Sequence, residues 1–153
     1  MTPDRPAVIL VVDDDSSCRD IAARLLRTQG YETRTADGGE ACLAIVAREP
    51  IDLILLDVMM PDMDGFAVCA ALRARGAAIP IILLTAKDDT DTRLEGIHQG
   101  VSEFLTKPIN RHELFARVRA QLHILHLGRQ LEEVERNLQT ARRGIASTPD
   151  SDR

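Results

Sequence analysis

Three stretches, residues 7–12, 51–56 and 80–85, are nearly unbroken runs of Val, Ile and Leu, each of strand length. A strand with one wet face alternates apolar and polar residues. Runs like these read as strands buried on both faces of a parallel sheet. Two shorter runs, 31–35 and 103–106, join them, and helical patterns fill the intervals. Helices are expected over 16–29, with Ile21, Leu25 and Leu26 on one face and Gly30 as the stop; over 39–48; and over 64–75, closed by Gly76. A fourth is expected over 91–99, ending at Gly100, and a fifth follows Asn110, a suitable N-cap. Strand–helix alternation five times over predicts an α/β domain with a parallel sheet, helices on both faces and right-handed crossovers.

With one Tyr, three Phe and no Trp, the core must be built from Leu, Ile, Val and Ala. The 153 residues suit one domain with an appendage. A net charge of −5 argues against a general nucleic-acid-binding surface. Cys18, Cys42 and Cys69 form no CxxC pair and read as reduced thiols of a cytosolic protein. The start of the chain lacks a signal-peptide pattern, and no apolar run is long enough to span a membrane, so a cytoplasmic protein without membrane attachment is expected. Neither GxxxxGK nor GxGxxG occurs, which disfavours nucleotide binding.

In an open parallel sheet, ligands bind beyond the carboxyl ends of the strands. Asp13 and Asp14 follow the first run, Asp57 ends the third, Thr85 and Ala86 end the fourth, and Lys107 and Pro108 follow the fifth. Two like charges about 4 Å apart repel by roughly 4 kcal/mol at an effective dielectric near 20. Such a cluster is tolerable when the carboxylates share a cation. Oxygen donors without His or Cys suit a hard ion, and Mg²⁺ takes one or two carboxylates while leaving room for a phosphate. Lys107 adds a positive charge for phosphate oxygens and Thr85 a hydroxyl donor. One of the carboxylates is then placed to act as a nucleophile and form an acyl phosphate. Each residue also has a plainer reading. Asp15 serves as a helix cap, Asp62 and Asp64 serve the turn and the next helix start, and Gly65 eases a close backbone approach. Phe104 alone reads as core, and Lys107 alone as a surface charge.

The motifs "VVDDDSS", "LLDVMMPDMDGF", "LLTAK" and "FLTKP" occur in order, and over residues 6–122 the chain resembles the receiver domain of two-component response regulators. The resemblance implies a flavodoxin-like three-layer fold with strand order 2-1-3-4-5, an order for which receiver domains are themselves a known example. It implies that Asp57 accepts a phosphoryl group from a histidine kinase or phosphotransfer protein. Asp14 would bind Mg²⁺ (or Mn²⁺) directly, Asp13 through a coordinated water, and Asp57 and the backbone carbonyl of Met59 would complete the protein's ligands. Lys107 would pair with Asp57 and then with the phosphoryl oxygens. Thr85 would turn its hydroxyl inward, joined by the Ala86 backbone N–H, and Phe104 would be the aromatic switch. Lys107–Pro108 would be a cis peptide. Met59 and Lys87, two residues beyond Asp57 and Thr85, would tune the phosphoryl lifetime, with Met59 shielding it. The chain is then a phosphorylation switch rather than an enzyme with turnover. The alternatives are the receiver segment of a larger hybrid kinase or cyclic-dinucleotide signalling protein, and an aspartate-nucleophile phosphatase. The last is disfavoured because the usual second acid position holds Met59.

The fifth helical pattern continues to about residue 143, well past what a receiver needs. Leu114, Val118, Leu122 and Leu125 form one stripe, suited to the domain's own sheet. A second stripe, Ile124, Leu127, Leu131, Val134, Leu138, Ala141 and Ile145, steps 3, 4, 3, 4, 3, 4, the seam of a coiled coil. It predicts a parallel homodimer, with burial of the stripe within the chain as the alternative. Gly128 is a possible hinge. The expected organisation is a lead-in over 1–6, a receiver domain over 7–122, an extended helix over 123–145 and a disordered tail over 146–153.

Overall fold

The computed structural model describes residues 5–86 and 90–147; within its helices, the side chains of residues 90, 92 and 145–147 are not described. Residues 1–4 of the lead-in, Lys87 and the tail residues 148–153 lie outside the described residues. The elements alternate as β1 (Val8–Val12), α1 (Ser16–Thr28), β2 (Glu32–Ala36), α2 (Gly39–Arg48), β3 (Leu53–Asp57), α3 (Gly65–Ala74), β4 (Ile81–Thr85), α4 (Thr90–His98), β5 (Glu103–Thr106) and α5 (Arg111–Ser147). The five strands form one parallel sheet in the order β2-β1-β3-β4-β5.

The burial pattern explains the order. β1, β3 and β4 are buried at every position and occupy the centre, whereas β2 keeps polar, partly exposed residues and lies at an edge. Successive side chains of a strand point to opposite faces. Leu10, Val12, Ile54, Leu56, Ile81 and Leu83 therefore meet Cys42, Leu43, Val68, Cys69 and Leu72 of α2 and α3. Ile9, Val11, Leu53, Leu55, Ile82 and Leu84 meet Ala22, Ala23 and Leu26 of α1 and Leu114, Val118 and Leu122 of α5. The result is the three-layer flavodoxin-like sandwich, and the inner stripe of α5 packs on the sheet as its spacing implied.

Local chemistry sets the helix starts. The Asp15 carboxylate accepts the N–H groups of Ser17 and Cys18, Asp64 accepts that of Ala67, and Asn110 accepts that of Glu113. Gly30, Gly76 and Gly100 follow their helices with positive φ, the conformation that ends a helix without a Cβ clash. One expectation needs correction. The fifth helix does not stop near 143 but runs through Ser147, so 146 and 147 belong to it rather than to a tail. The helix is continuous through Gly128, with Leu125 packed on the domain and Arg129 bound to Asp52 on either side.

Candidate functional site

The parallel register brings the carboxyl ends of the central strands level. Val12 pairs with Leu56, Asp57 with Leu84, and Thr85 with Thr106, so the residues just beyond β1 and β5 stand beside Asp57 and Thr85. Asp13, Asp14 and Asp57 offer carboxylate oxygens that all lie within 4.8 Å of one another. Asp13 and Asp57 are buried, and Asp14 is exposed at the rim. The Lys107 ammonium bridges the two buried acids, with Nζ 3.1 Å from Asp13 Oδ2 and 3.3 Å from Asp57 Oδ1.

Charge sets the state of this cluster. Burial, and next the neighbouring Asp13 charge, push the Asp57 carboxyl up to about 6, with Lys107 opposing them. Burial pulls Lys107 down, but its contacts with Asp13 and Asp57 outweigh that and leave its pKa above the ordinary value. Asp13 Oδ1 accepts the N–H of Asp15 at 3.0 Å. Its Oδ2 is buried and, despite the nearby ammonium, has no properly directed hydrogen bond among the described residues. A buried carboxylate oxygen with an unfilled position costs free energy. A hard cation among these oxygens would satisfy it, so the donor set fits Mg²⁺.

The remaining residues surround the cluster. The Met59 N–H donates to Asp57 Oδ1 at 3.3 Å, and the residue is 75% exposed. Thr85 is buried, and its hydroxyl donates to the Leu105 carbonyl at 3.5 Å, directed at β5 rather than at Asp57. Ala86 is exposed immediately after β4, and the Lys107–Pro108 peptide is cis. The Phe104 ring lies against α4, where a β-carbon on Gly96 would come within 2.7 Å of it, and Arg93 sits 5.8 Å from its centroid. Lys87 lies outside the described residues.

The family described as response regulator receiver domain matches residues 9–119. The chain belongs to this family. It is 43% identical over 117 residues to Response regulator MprA of Mycolicibacterium vanbaalenii, covering 76% of this chain and 51% of that protein. It is 49% identical over 117 residues to Response regulator PleD of Caulobacter vibrioides, covering 74% of this chain and 26% of that protein. The chain thus spans about half the length of the first relative and a quarter of the second. Among solved structures, the chemotaxis protein CheY4 of Vibrio cholerae superposes with a TM-score of 0.72 at 33% identity, over 75% of this chain and 98% of that one. NtrX from Brucella abortus superposes with a TM-score of 0.80 at 27% identity, over 84% and 29% respectively.

This receiver domain holds contacts that residue spacing did not reveal. Asp62 meets the amides of its own turn and also reaches beyond it. Its carboxylate crosses to the start of α2 and accepts the N–H groups of Gly39 at 3.4 Å and Glu40 at 3.3 Å, tying the β3–α3 loop to a second helix. A β-carbon on Gly38 would meet Asp62 at 2.9 Å, so the bare Gly38 backbone makes the approach possible. At the opposite edge of the sheet, Asp52 is buried and gathers Arg5, the Val8 N–H and Arg129. An acid inside the otherwise apolar run 51–56 was the available signal. Among the described residues no helix is long and apolar enough to cross a membrane.

Proposed function

We propose that the chain is a phosphoacceptor signalling switch in which Asp57 receives a phosphoryl group from a histidine kinase or phosphotransfer protein. The observation that carries this reading is the buried Asp13–Asp57 pair bridged by Lys107, with Asp14 bringing a third carboxylate oxygen within 4.8 Å of both. A carboxylate oxygen of Asp57 attacks phosphorus; the new O–P bond forms as the donor's P–N bond breaks, and the bond pair leaves with the imidazole nitrogen. Lys107 already touches Asp57 and supplies positive charge to the incoming oxygens. Asp13, Asp14, Asp57 and the Met59 carbonyl would hold Mg²⁺ or Mn²⁺, which when bound neutralises charge on the phosphoryl oxygens. Thr85 gives up its bond to Leu105 and turns toward the phosphoryl group, joined by the Ala86 N–H. Phe104 follows, altering the α4–β5–α5 face, where Leu94 and Ile97 are exposed.

We further infer that the protein pairs with a second copy through α5. Ile124, Leu127, Leu131, Val134 and Leu138 are 49% to 60% exposed, which favours pairing between chains over burial within one. In a parallel pair, Gln130 would face Glu135 of the other copy and Asn137 would face Arg142, so no like charges meet. The coverage of only a quarter of PleD favours a second reading, in which the same switch is the receiver segment of a longer signalling protein.

The test is intact mass after incubation with Mg²⁺ and a small phosphodonor. Wild type gains one phosphoryl group and Asp57→Asn gains none; chelating the divalent ion abolishes the gain. Equal labelling of wild type and the Asn variant would remove Asp57 from the role.

A further inference from the structure

The base of the sheet, opposite Asp57, carries a cluster that the phosphorylation chemistry does not use. Asp52, just before β3, is only 4% exposed. Its carboxylate accepts the Val8 N–H at 2.8 Å, Arg5 Nη1 at 2.9 Å and Nη2 at 3.3 Å, and Arg129 Nη1 at 3.3 Å. Arg5 leads into β1, whereas Arg129 belongs to the part of α5 that extends past the domain. One turn before it, Leu125 packs against the apolar cluster under the sheet. Leu125, Arg129 and Glu132 share a cleft with Ile51, Ile79 and Pro80.

At 100° per residue, Leu125, Arg129 and Glu132 fall on one side of the helix. The exposed seam of Ile124, Leu127, Leu131, Val134 and Leu138 is centred roughly 150° around the axis from them. Contact through Arg129 therefore turns the seam away from its own domain. It also bridges Gly128, the residue of α5 least disposed to stay helical at the point where the helix leaves the sheet.

We propose that Asp52 is the junction that aims the extended helix: Arg129, held on its carboxylate, presents the apolar seam outward for pairing with a second copy of this chain. This rests on the dimer reading above. Arg129 is a positioning residue in this account, since it touches its own domain and not the partner's seam. Ordering the helix before association removes part of the entropy cost of pairing. Arg5 shares the same carboxylate from the β1 side and, among the described residues, its hydrogen bonds go to Pro6 and Asp52 rather than to α5, so it separates aiming the helix from merely satisfying a buried acid.

The experiment measures the dimer dissociation constant of the full chain by sedimentation, with thermal unfolding followed in parallel. Arg129→Ala is expected to weaken the dimer roughly tenfold, the effect of losing one charged contact that preorders the helix. Arg129→Lys, which retains the charge, restores most of the affinity. Arg5→Ala leaves the constant within about twofold of wild type, because Asp52 keeps Arg129 and the Val8 N–H. A wild-type dimer unmoved by Arg129→Ala, or weakened equally by Arg5→Ala, overturns the junction and leaves the dimer standing. A wild type that remains monomeric at high concentration overturns the dimer reading and the junction with it.

Discussion

Burial and the neighbouring Asp13 hold Asp57 at about 6, and an unfolded chain returns it to roughly 3.9. Between those values the native state binds the Asp57 proton more tightly than the unfolded state does. Stability from this group is therefore present at low pH and is lost as pH rises through about 6. Asp57→Asn cannot ionise and escapes the loss. In metal-free buffer it should gain on wild type between pH 4.5 and pH 7.5 by on the order of 1–3 kcal/mol, measured by urea unfolding followed by circular dichroism. No difference between the two pH values would mean that the acid is not strained. Met59 is an exposed apolar residue whose backbone N–H meets the same carboxylate. Exchanging it for Asn admits water, so the phosphorylated Met59→Asn variant should lose its phosphoryl group faster. An unchanged or longer lifetime would contradict the shielding role.

The β3–α3 connection works as an element because both of its ends are fixed. A β-carbon on Gly65 would stand 2.7 Å from the Asp57 carbonyl oxygen and 3.0 Å from Val58 Cα, and both are backbone atoms. Gly65→Ala must move the strand end itself. It should cost about 1–3 kcal/mol in denaturant unfolding and slow phosphoryl uptake, since the loop that carries Met59 shifts with it. Asp62→Ala should lower stability in the same assay, the direction expected when a helix start loses an acceptor. These two residues mark what sequence makes readable at this scale. The caps by Asp15, Asp64 and Asn110 act within three residues, so pattern and spacing reveal them. Asp62 acts on amides 22 and 23 residues away, and only the packed fold brings them together. The acids and Lys107 were legible for a related reason. Each follows an apolar run, and a parallel sheet necessarily collects strand ends at one edge. Asp52 lies inside such a run at the opposite edge, and its partner Arg129 is separated by 77 residues.

Across the whole molecule, the receiver domain and the helix extension draw on different sources of stability. The domain has two apolar layers around one sheet, which α5 serves as far as Leu125, and Arg129 adds a polar contact to Asp52. From Leu127 to Gly144 every residue is exposed. Beyond Arg129 this part of α5 has no burial to support it and contains Gly144, so it should owe much of its order to a partner. Leu131→Asp introduces a charge at the middle of the seam without touching the domain core. Light scattering should then report a dimer for wild type and a monomer for the variant. The helical signal should fall in the variant and, on dilution, in wild type, because helix formation beyond Arg129 is coupled to pairing. The main unfolding transition of the domain should persist in both, and Asp57 should still take up a phosphoryl group. A Leu131→Asp protein that keeps the wild-type mass and helicity would mean that the seam is not what joins the chains.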